Sequence, residues 1–322
     1  MSMRVALASF AALVIVGCGS AREGPASSPD ANDPGMIVFT GLWDGSGAYH
    51  AMRPDGTGVH GLPFGWDEVT LSADGQSMVW VAKSFEQDKV MGDDRIFVSR
   101  VDGSERRRVP APDDATLIAS VSPGGNRLAL VYSSDPFGGR WDVWTVSANG
   151  EDFEQRTSTG HVQTVAWALD GEHLAFVDEP PDEEGGYDGN GDVYVMRADG
   201  SDLHRVARGA EPAWSPDGER IAFTDADWNV SVVDWSGGKA ELLVRNGRDP
   251  TWSPDGKRLA FLRNSGCGHA TCTQGLFIVS AQGGTPRRVG PYLSESTILS
   301  WTTAELPVVS PGLAKNSTRP NS

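Results

Sequence analysis

The sequence predicts an all-β chain assembled from one repeated unit, and three observations lead there. The phrase WSPDG occurs twice, at Trp214–Gly218 and Trp252–Gly256. Around it five stretches align: EVTLSADGQSMVWV from Glu68, IASVSPGGNRLALV from Ile118, TVAWALDGEHLAFV from Thr164, EPAWSPDGERIAFT from Glu211 and DPTWSPDGKRLAFL from Asp249. Each is followed, after a variable gap, by a second stretch: IFVSRVDGSERRRV, VWTVSANGEDFEQR, VYVMRADGSDLHRV, VSVVDWSGGKAELL or LFIVSAQGGTPRRV. Leu71, Val121, Trp167, Trp214, Trp252 and Trp301 hold the tryptophan position, roughly 38–50 residues apart, near the 40–45 of a propeller blade.

Each unit holds four short apolar runs. In the unit from Thr164 they are TVAW, HLAFV, VYVMR and LHRVA. Runs of four to six alternating or β-branched residues bounded by Asp-Gly or Asn-Gly read as strands joined by tight hairpins. Glycine is required there because the turns need positive φ. A unit is therefore a four-stranded antiparallel meander, with strands A to D. Helical periodicity is absent throughout the repeat.

The ends set the number of units. The segment from Ile37 supplies strands of B, C and D type with no strand A before it. The segment STILSWTT from Ser296 reads as a strand A with nothing after it. The expectation is a six-bladed β-propeller of four-stranded antiparallel blades, its ring closed by the C-terminal strand 296–302 joining the first blade. Such closure removes free sheet edges.

The pattern xPxWSPDGxxIAF followed by IYVMxADGSxxxRL resembles the TolB-type, WD-repeat-like β-propellers of bacterial envelopes. The resemblance runs from about Ile37 to Trp301 and is strongest in the last three repeats. It implies a fold rather than an activity. TolB-type proteins carry an N-terminal α/β domain, for which this chain has only a short linker. Peptidases of the prolyl oligopeptidase type carry such propellers beside a hydrolase domain, but there is no G-x-S-x-G elbow here.

The N-terminus begins MSMRVALASFAALVIVGCGS. Arg4 precedes an apolar core, Val5 to Val16, too short to span a bilayer, so residues 1–17 read as a signal peptide. Its end, Ile15-Val16-Gly17-Cys18, resembles a bacterial lipobox, which implies acylation of Cys18; an ordinary signal peptide with an incidental cysteine is the alternative. Several acyl chains would anchor stably where one is marginal. Gly19 rather than Asp after the cysteine points, within that resemblance, to the outer membrane, facing the periplasm or the cell surface. Residues 18–35 read as a flexible tether, 36–302 as the propeller and 303–322 as a disordered tail.

Cys267 and Cys272 lie in NSGCGHATCTQG, between strands B and C of one unit. In an exported chain a disulfide between them is the leading expectation. Zinc on Cys267, His269 and Cys272 is the rival, with its fourth ligand unassigned. The net charge of −16 disfavours nucleic acid, whose binding needs a basic footprint. It suits cations, basic protein segments or plain solubility.

The A–B and C–D turns are short and lie at one end of each meander. Length variation falls in the B–C loops at the other end, which gathers the insertions on one face. Loops on a rigid scaffold are where binding is found, although long loops are also simply tolerated. The loop Asp178 to Asp192 carries Asp188, Asn190 and Asp192 at alternate positions, with glycine between. Such runs can hold calcium, here with Asp182, Glu183 and Glu184 to complete the shell; a solvated acidic loop is the bland alternative. Three residues before the tryptophan position stand Glu68, Ile118, Thr164, Glu211, Asp249 and Ile298. These should surround a central channel, so Glu68, Glu211 and Asp249 would meet at its mouth, with His161 and Arg248 nearby. Such carboxylates could hold a cation or amine or raise one another's pKa; they could equally be part of the repeat's structural pattern. The tryptophans are expected to pack between blades.

There is no Walker A lysine motif and no H-E-x-x-H. The expected function is thus a lipid-anchored, monomeric envelope scaffold, not an enzyme, that binds a protein or peptide through its B–C loop face. It requires no cofactor, calcium being optional. The alternative is a propeller enzyme, lyase- or peptidase-like, or a small-ligand binder acting through the channel mouth.

Overall fold

The computed structural model describes residues 35–40, 49–62, 68–82, 95–110, 116–133, 139–182, 189, 191–267, 272–294, 297–303 and 306. All of the regular structure among them is β, apart from one short 3₁₀ turn at Pro123–Gly125. The strands form consecutive antiparallel meanders, as the Asp-Gly hairpins require. Strands β4 (Glu68–Leu71), β5 (Ser77–Ala82), β6 (Arg95–Arg100) and β7 (Arg107–Val109) make one sheet. The next is β8 (Thr116–Val121), β9 (Arg127–Tyr132), β10 (Asp142–Ser147) and β11 (Glu154–Gln155). Another is β19 (Arg248–Trp252), β20 (Arg258–Cys267), β21 (Cys272–Ser280) and β22 (Arg287–Ser294).

Between them lies a seven-stranded sheet: β12 (Val162–Trp167), β13 (His173–Asp178), β14 (Asp192–Arg197), β15 (His204–Trp214), β16 (Arg220–Asp225), β17 (Val230–Asp234) and β18 (Glu241–Val244). Its long central strand serves two meanders. The His204–Arg208 half of β15 pairs with β14, and the Gly209–Trp214 half pairs with β16. The last sheet joins the two ends of the fold, in the order β23 (Thr297–Thr302), β1 (Met36–Thr40), β2 (Tyr49–Met52) and β3 (His60–Gly61). Trp301 lies opposite Ile37 in that ladder.

The cores sit between successive sheets. Val230, Val232 and Val244 of one meander pack on Trp252, Phe261 and Phe277 of the next. The sheet that holds both ends is packed on two sides. Ile37, Phe39 and Trp301 meet Leu262 and Leu276, while Val38 and Ala51 meet Val69 and Leu71. Trp252 also donates its indole N–H to the carbonyl of Ala213 at 3.1 Å, and Arg220 lies 4.7 Å over its ring. The tryptophans thus act as wedges between meanders, as expected for large aromatics at a twisted sheet interface.

The WSPDG phrase is more than a glycine turn. The Ser253 hydroxyl donates to Asp255 at 2.7 Å and accepts the Arg258 amide at 2.9 Å. Ser215 makes the same pair of bonds, to Asp217 and from Arg220. In four C–D turns the order reverses, an aspartate standing two residues before a hydroxyl: Asp55 and Thr57, Asp102 and Ser104, Asp199 and Ser201, Asp234 and Ser236. Asp199 accepts both the amide and the hydroxyl of Ser201, at 2.9 and 2.6 Å. These hydroxyl and amide bonds, side chain first, hold the carboxyls of Asp55, Asp102, Asp199 and Asp234 below the ordinary aspartate range. In Asp217 and Asp255 partial burial works upward, but the serine hydroxyl, a backbone amide and a nearby cation outweigh it.

A carboxyl whose pKa is depressed on folding stabilises the fold above its unfolded pKa, near 4, and loses that contribution as pH falls through the folded value. Stability is therefore expected to decline steeply only below about pH 4. The variant with Asp102, Asp199 and Asp234 all changed to Asn should show a flatter acid limb in melting temperature against pH. Superimposable acid limbs would remove these turns as the cause.

Candidate functional site

The inner strand of every meander contributes to one central channel of about 790 Å³. Side chains alternate along a strand, so the residue before each tryptophan position points away from the blade interface. Those residues are Thr70, Ser120, Ala166, Ala213, Thr251 and Ser300, and all six line the channel. Their small size leaves the room.

Towards the start of these strands, Glu211 and Asp249 also line the channel. Both sit where the ladder register shifts, between Ala210 and Ala213 in β15 and between Arg248 and Thr251 in β19. Both have positive φ, 54° and 56°. Each precedes a proline, Pro212 or Pro250, whose missing N–H suits a broken ladder. A bulge re-aims side chains beside functional sites, and non-glycine residues with positive φ are uncommon.

The bulges are locked by one carboxylate. Glu211 Oε2 accepts the Thr224 hydroxyl at 2.6 Å and the Asp249 amide at 2.7 Å. The Asp249 amide also reaches the Thr224 hydroxyl oxygen at 3.0 Å. Arg248 approaches Glu211 Oε1 at 3.7 Å. Asp249 is buried, whereas the Glu211 side chain keeps 34 % of its surface exposed. Glu211 therefore ties two meanders together and still offers an oxygen to anything entering the channel.

Of the three acids expected at the mouth, the structure brings together Glu211 and Asp249. Glu68 opens β4 in the equivalent place, but its side chain lies outside the described residues. Ile118 and Thr164 hold the same position and line the channel. Arg248 is beside Glu211 as expected. His161 is not part of the lining: it bridges Trp141, and its carbonyl accepts the Glu179 amide at 3.0 Å. Among the described residues, no group of three or more His, Cys, Asp or Glu is placed to hold a metal ion.

Cys18, Asp188, Asn190, Glu183, Glu184 and His269 lie outside the described residues. Asp192 opens β14 and pairs with Arg205 at 2.7 Å. Cys267 and Cys272 are Cα partners at the tip of the β20–β21 ladder, with their side chains outside the described residues. Directly opposed antiparallel residues stand about 4.5–5.5 Å apart, within the range a disulfide spans.

The sequence reading missed Thr224 and the bulges themselves. The available signal was the acid-proline pair repeated at Glu211-Pro212 and Asp249-Pro250, since proline inside a strand marks an edge or a bulge.

Comparison with known proteins places this architecture. TolB from Acinetobacter baumannii superposes with a TM-score of 0.58 at 16 % identity, over 83 % of this chain and 67 % of that one. A putative TolB from Agrobacterium tumefaciens gives 0.56 at 14 %, over 82 % and 98 %. Oligogalacturonate lyase from Vibrio parahaemolyticus gives 0.50 at 12 %, over 79 % and 74 %. At these identities the likeness is one of fold. No curated protein matches the sequence. Residues 68–304 match the TolB beta propeller domain, most of the length of the chain, and the protein therefore belongs to the TolB β-propeller family.

Proposed function

We propose that this protein is a monomeric, lipid-anchored scaffold of the bacterial envelope that binds a protein or peptide on the face carrying the B–C loops and the channel mouth. The observation that carries the reading is the Glu211–Asp249 pair. Two residues in an uncommon backbone conformation are held in place by Thr224 and Arg248 at the rim of a 790 Å³ channel. Strain kept at a rim by surrounding bonds points to use of that rim. The fold likeness to TolB structures supports an envelope setting. Cys18 would supply the anchor, at the outer membrane.

The scaffold in this reading is a ring of six blades. Its support is the double service of β15, which makes two meanders of the seven-stranded sheet, and the pairing of β23 with β1.

A second reading rests on the same channel: a small ligand, amine or glycan, bound or turned over at Glu211. The structural likeness to an oligogalacturonate lyase keeps it in view.

One experiment separates the two. Crosslinking in intact cells, followed by capture from the membrane fraction, should recover one specific envelope protein. Recovery should fall at least about ten-fold when the loop 179–191 is shortened, while Cys18→Ala protein should leave the membrane fraction. Capture unchanged by the trimmed loop would overturn the leading reading. Turnover of a glycan or peptide library that vanishes in Glu211→Ala would install the second.

A further inference from the structure

The outer strand of one meander is tied to a turn of its neighbour by a side chain at a fixed ladder position. In β22 that side chain is Arg287, opposite Ile278, and it donates to the Pro54 carbonyl at 3.2 Å. In β7 it is Arg107, opposite Val98, and it donates to the Gly125 carbonyl at 2.8 Å. In β15 the position falls to His204, opposite Val195. Its Nε2 stands 3.1 Å from the Trp235 carbonyl oxygen of the next meander. Its Nδ1 stands 2.8 Å from the Asp202 carbonyl oxygen of its own. Pro54 and Trp235 are equivalent acceptors, since each follows the residue whose carbonyl closes its C–D turn, Arg53 or Asp234. A permanent cation thus serves where the tie is arginine, and a titratable ring serves at His204.

An imidazole that faces two carbonyl oxygens is incompletely bonded when neutral. One nitrogen then sets a lone pair against an acceptor, and only the imidazolium donates from both. We infer that His204 is a proton-operated latch between the meander β12–β15 and the meander β15–β18, closed when the ring is charged and slack when it is neutral. Histidine makes that change between about pH 5 and pH 8. The Trp235 ring adds to the closed state, its centroid lying 6.0 Å from that of His204, within the reach of a ring for a cation. The other charged groups about the junction come from both meanders. His173 Nδ1 lies 2.6 Å from Asp170 Oδ2, and its ring is 5.0 Å from that of Trp235. Glu172 pairs with Arg197 at 2.8 Å, and Arg205 with Asp192 at 2.7 Å. From the next meander, Asp234 accepts the amide and hydroxyl of Ser236, and Glu219 offers its backbone carbonyl to the Trp235 amide at 3.1 Å. The side chains of Asp202, Glu219 and Lys239 belong to exposed residues. His173 is therefore the second group here that answers to pH near neutrality, and the test separates it from His204. The latch stands at the start of β15, the strand that runs on to Glu211 at the rim.

The test is hydrogen exchange on the full chain, read as protection of the Trp235 amide after correction for the intrinsic effect of pH. Protection should fall about ten-fold between about pH 5.5 and pH 8, the worth of one hydrogen bond to a charged group. The Gly56 amide, in the C–D turn tied by Arg287, should hold its protection over the same range. His204→Arg should make Trp235 protection independent of pH, and His204→Gln should keep it low throughout. His173→Gln should leave the response in place. Ring nitrogen NMR shifts of His204 should show two protonated nitrogens at the acid end and one at the other. A response that survives His204→Arg and disappears in His173→Gln would move the effect to the Asp170–His173 pair and overturn the latch. Flat protection in the parent, or a His204 ring with one protonated nitrogen down to about pH 5.5, would overturn it too.

Discussion

A chain ending before Ser296 is expected to lose most of its stability, whereas one ending after Leu306, which packs against the cluster of Val38, Ala51 and Val69, should melt like the parent. The difference lies in β23. Trp301 is 5 % exposed and packs with Ile37, Phe39 and Met52 of its own sheet and with Leu262 and Leu276 of the neighbouring one. Truncating one such aromatic, Trp301→Ala, should cost about 3–5 kcal/mol. Removing the strand deletes that contact and leaves one edge of β1 unpaired, an open edge that invites aggregation. Thermal and urea melts of the two truncations, with aggregation followed by light scattering, give the answer. Equal midpoints would contradict the pairing of the chain ends.

Gly209→Ala should be strongly destabilising for a single added methyl. Gly209 has φ 154°, and a Cβ there would stand 2.2 Å from the Thr224 carbonyl oxygen and 2.7 Å from the Phe223 ring. Neither neighbour can retreat. Phe223 is buried between meanders, and Thr224 is held in the ladder opposite Ala210 while its hydroxyl bonds Glu211. The expected cost is about 1–3 kcal/mol for overpacking, with a backbone term of similar order. Gly218→Ala is the control. It also has positive φ, 73°, but a Cβ would meet nothing within 4 Å. It should cost only about 1–2 kcal/mol, the penalty of the left-handed conformation. Urea midpoints compare them directly, and a Gly218 variant as damaged as the Gly209 variant would refute the steric argument. Because Thr224 supports the mouth, Gly209→Ala should also weaken whatever binds there.

The repeat made the meanders legible from the sequence, because Asp-Gly hairpins and alternating apolar runs are local signals. The placement of Glu211 and Asp249 in the channel followed from counting back from a tryptophan. What did not follow was non-local. Thr224 lies on another strand, and nothing in its own neighbourhood of sequence marks it as the hydroxyl that receives the next meander's amide. The role of Ser215 and Ser253 was hidden for a different reason: proline and glycine explain a turn well enough that the serine looks incidental. The tie made by His204 escaped because its acceptor, the Trp235 carbonyl, belongs to the next meander. His161, expected near the mouth, stands beside Trp141 just before β12 and does not line the channel.

The shared strand β15 makes two meanders into one mechanical element. At Arg208 it is an outer edge, opposite Asp192; three residues later, at Glu211, it forms the channel rim. No turn intervenes to absorb a displacement. Backbone amides along it should therefore exchange with solvent in a single opening event, with outer edge and rim losing protection together. Elsewhere in the fold the outer edge of one meander is separated from the inner strand of the next by a change of sheet, so the periphery can fray without disturbing the centre. Here it cannot. A load applied at Arg208 reaches the carboxylate at the rim through one continuous backbone, across the bulge that seats Glu211.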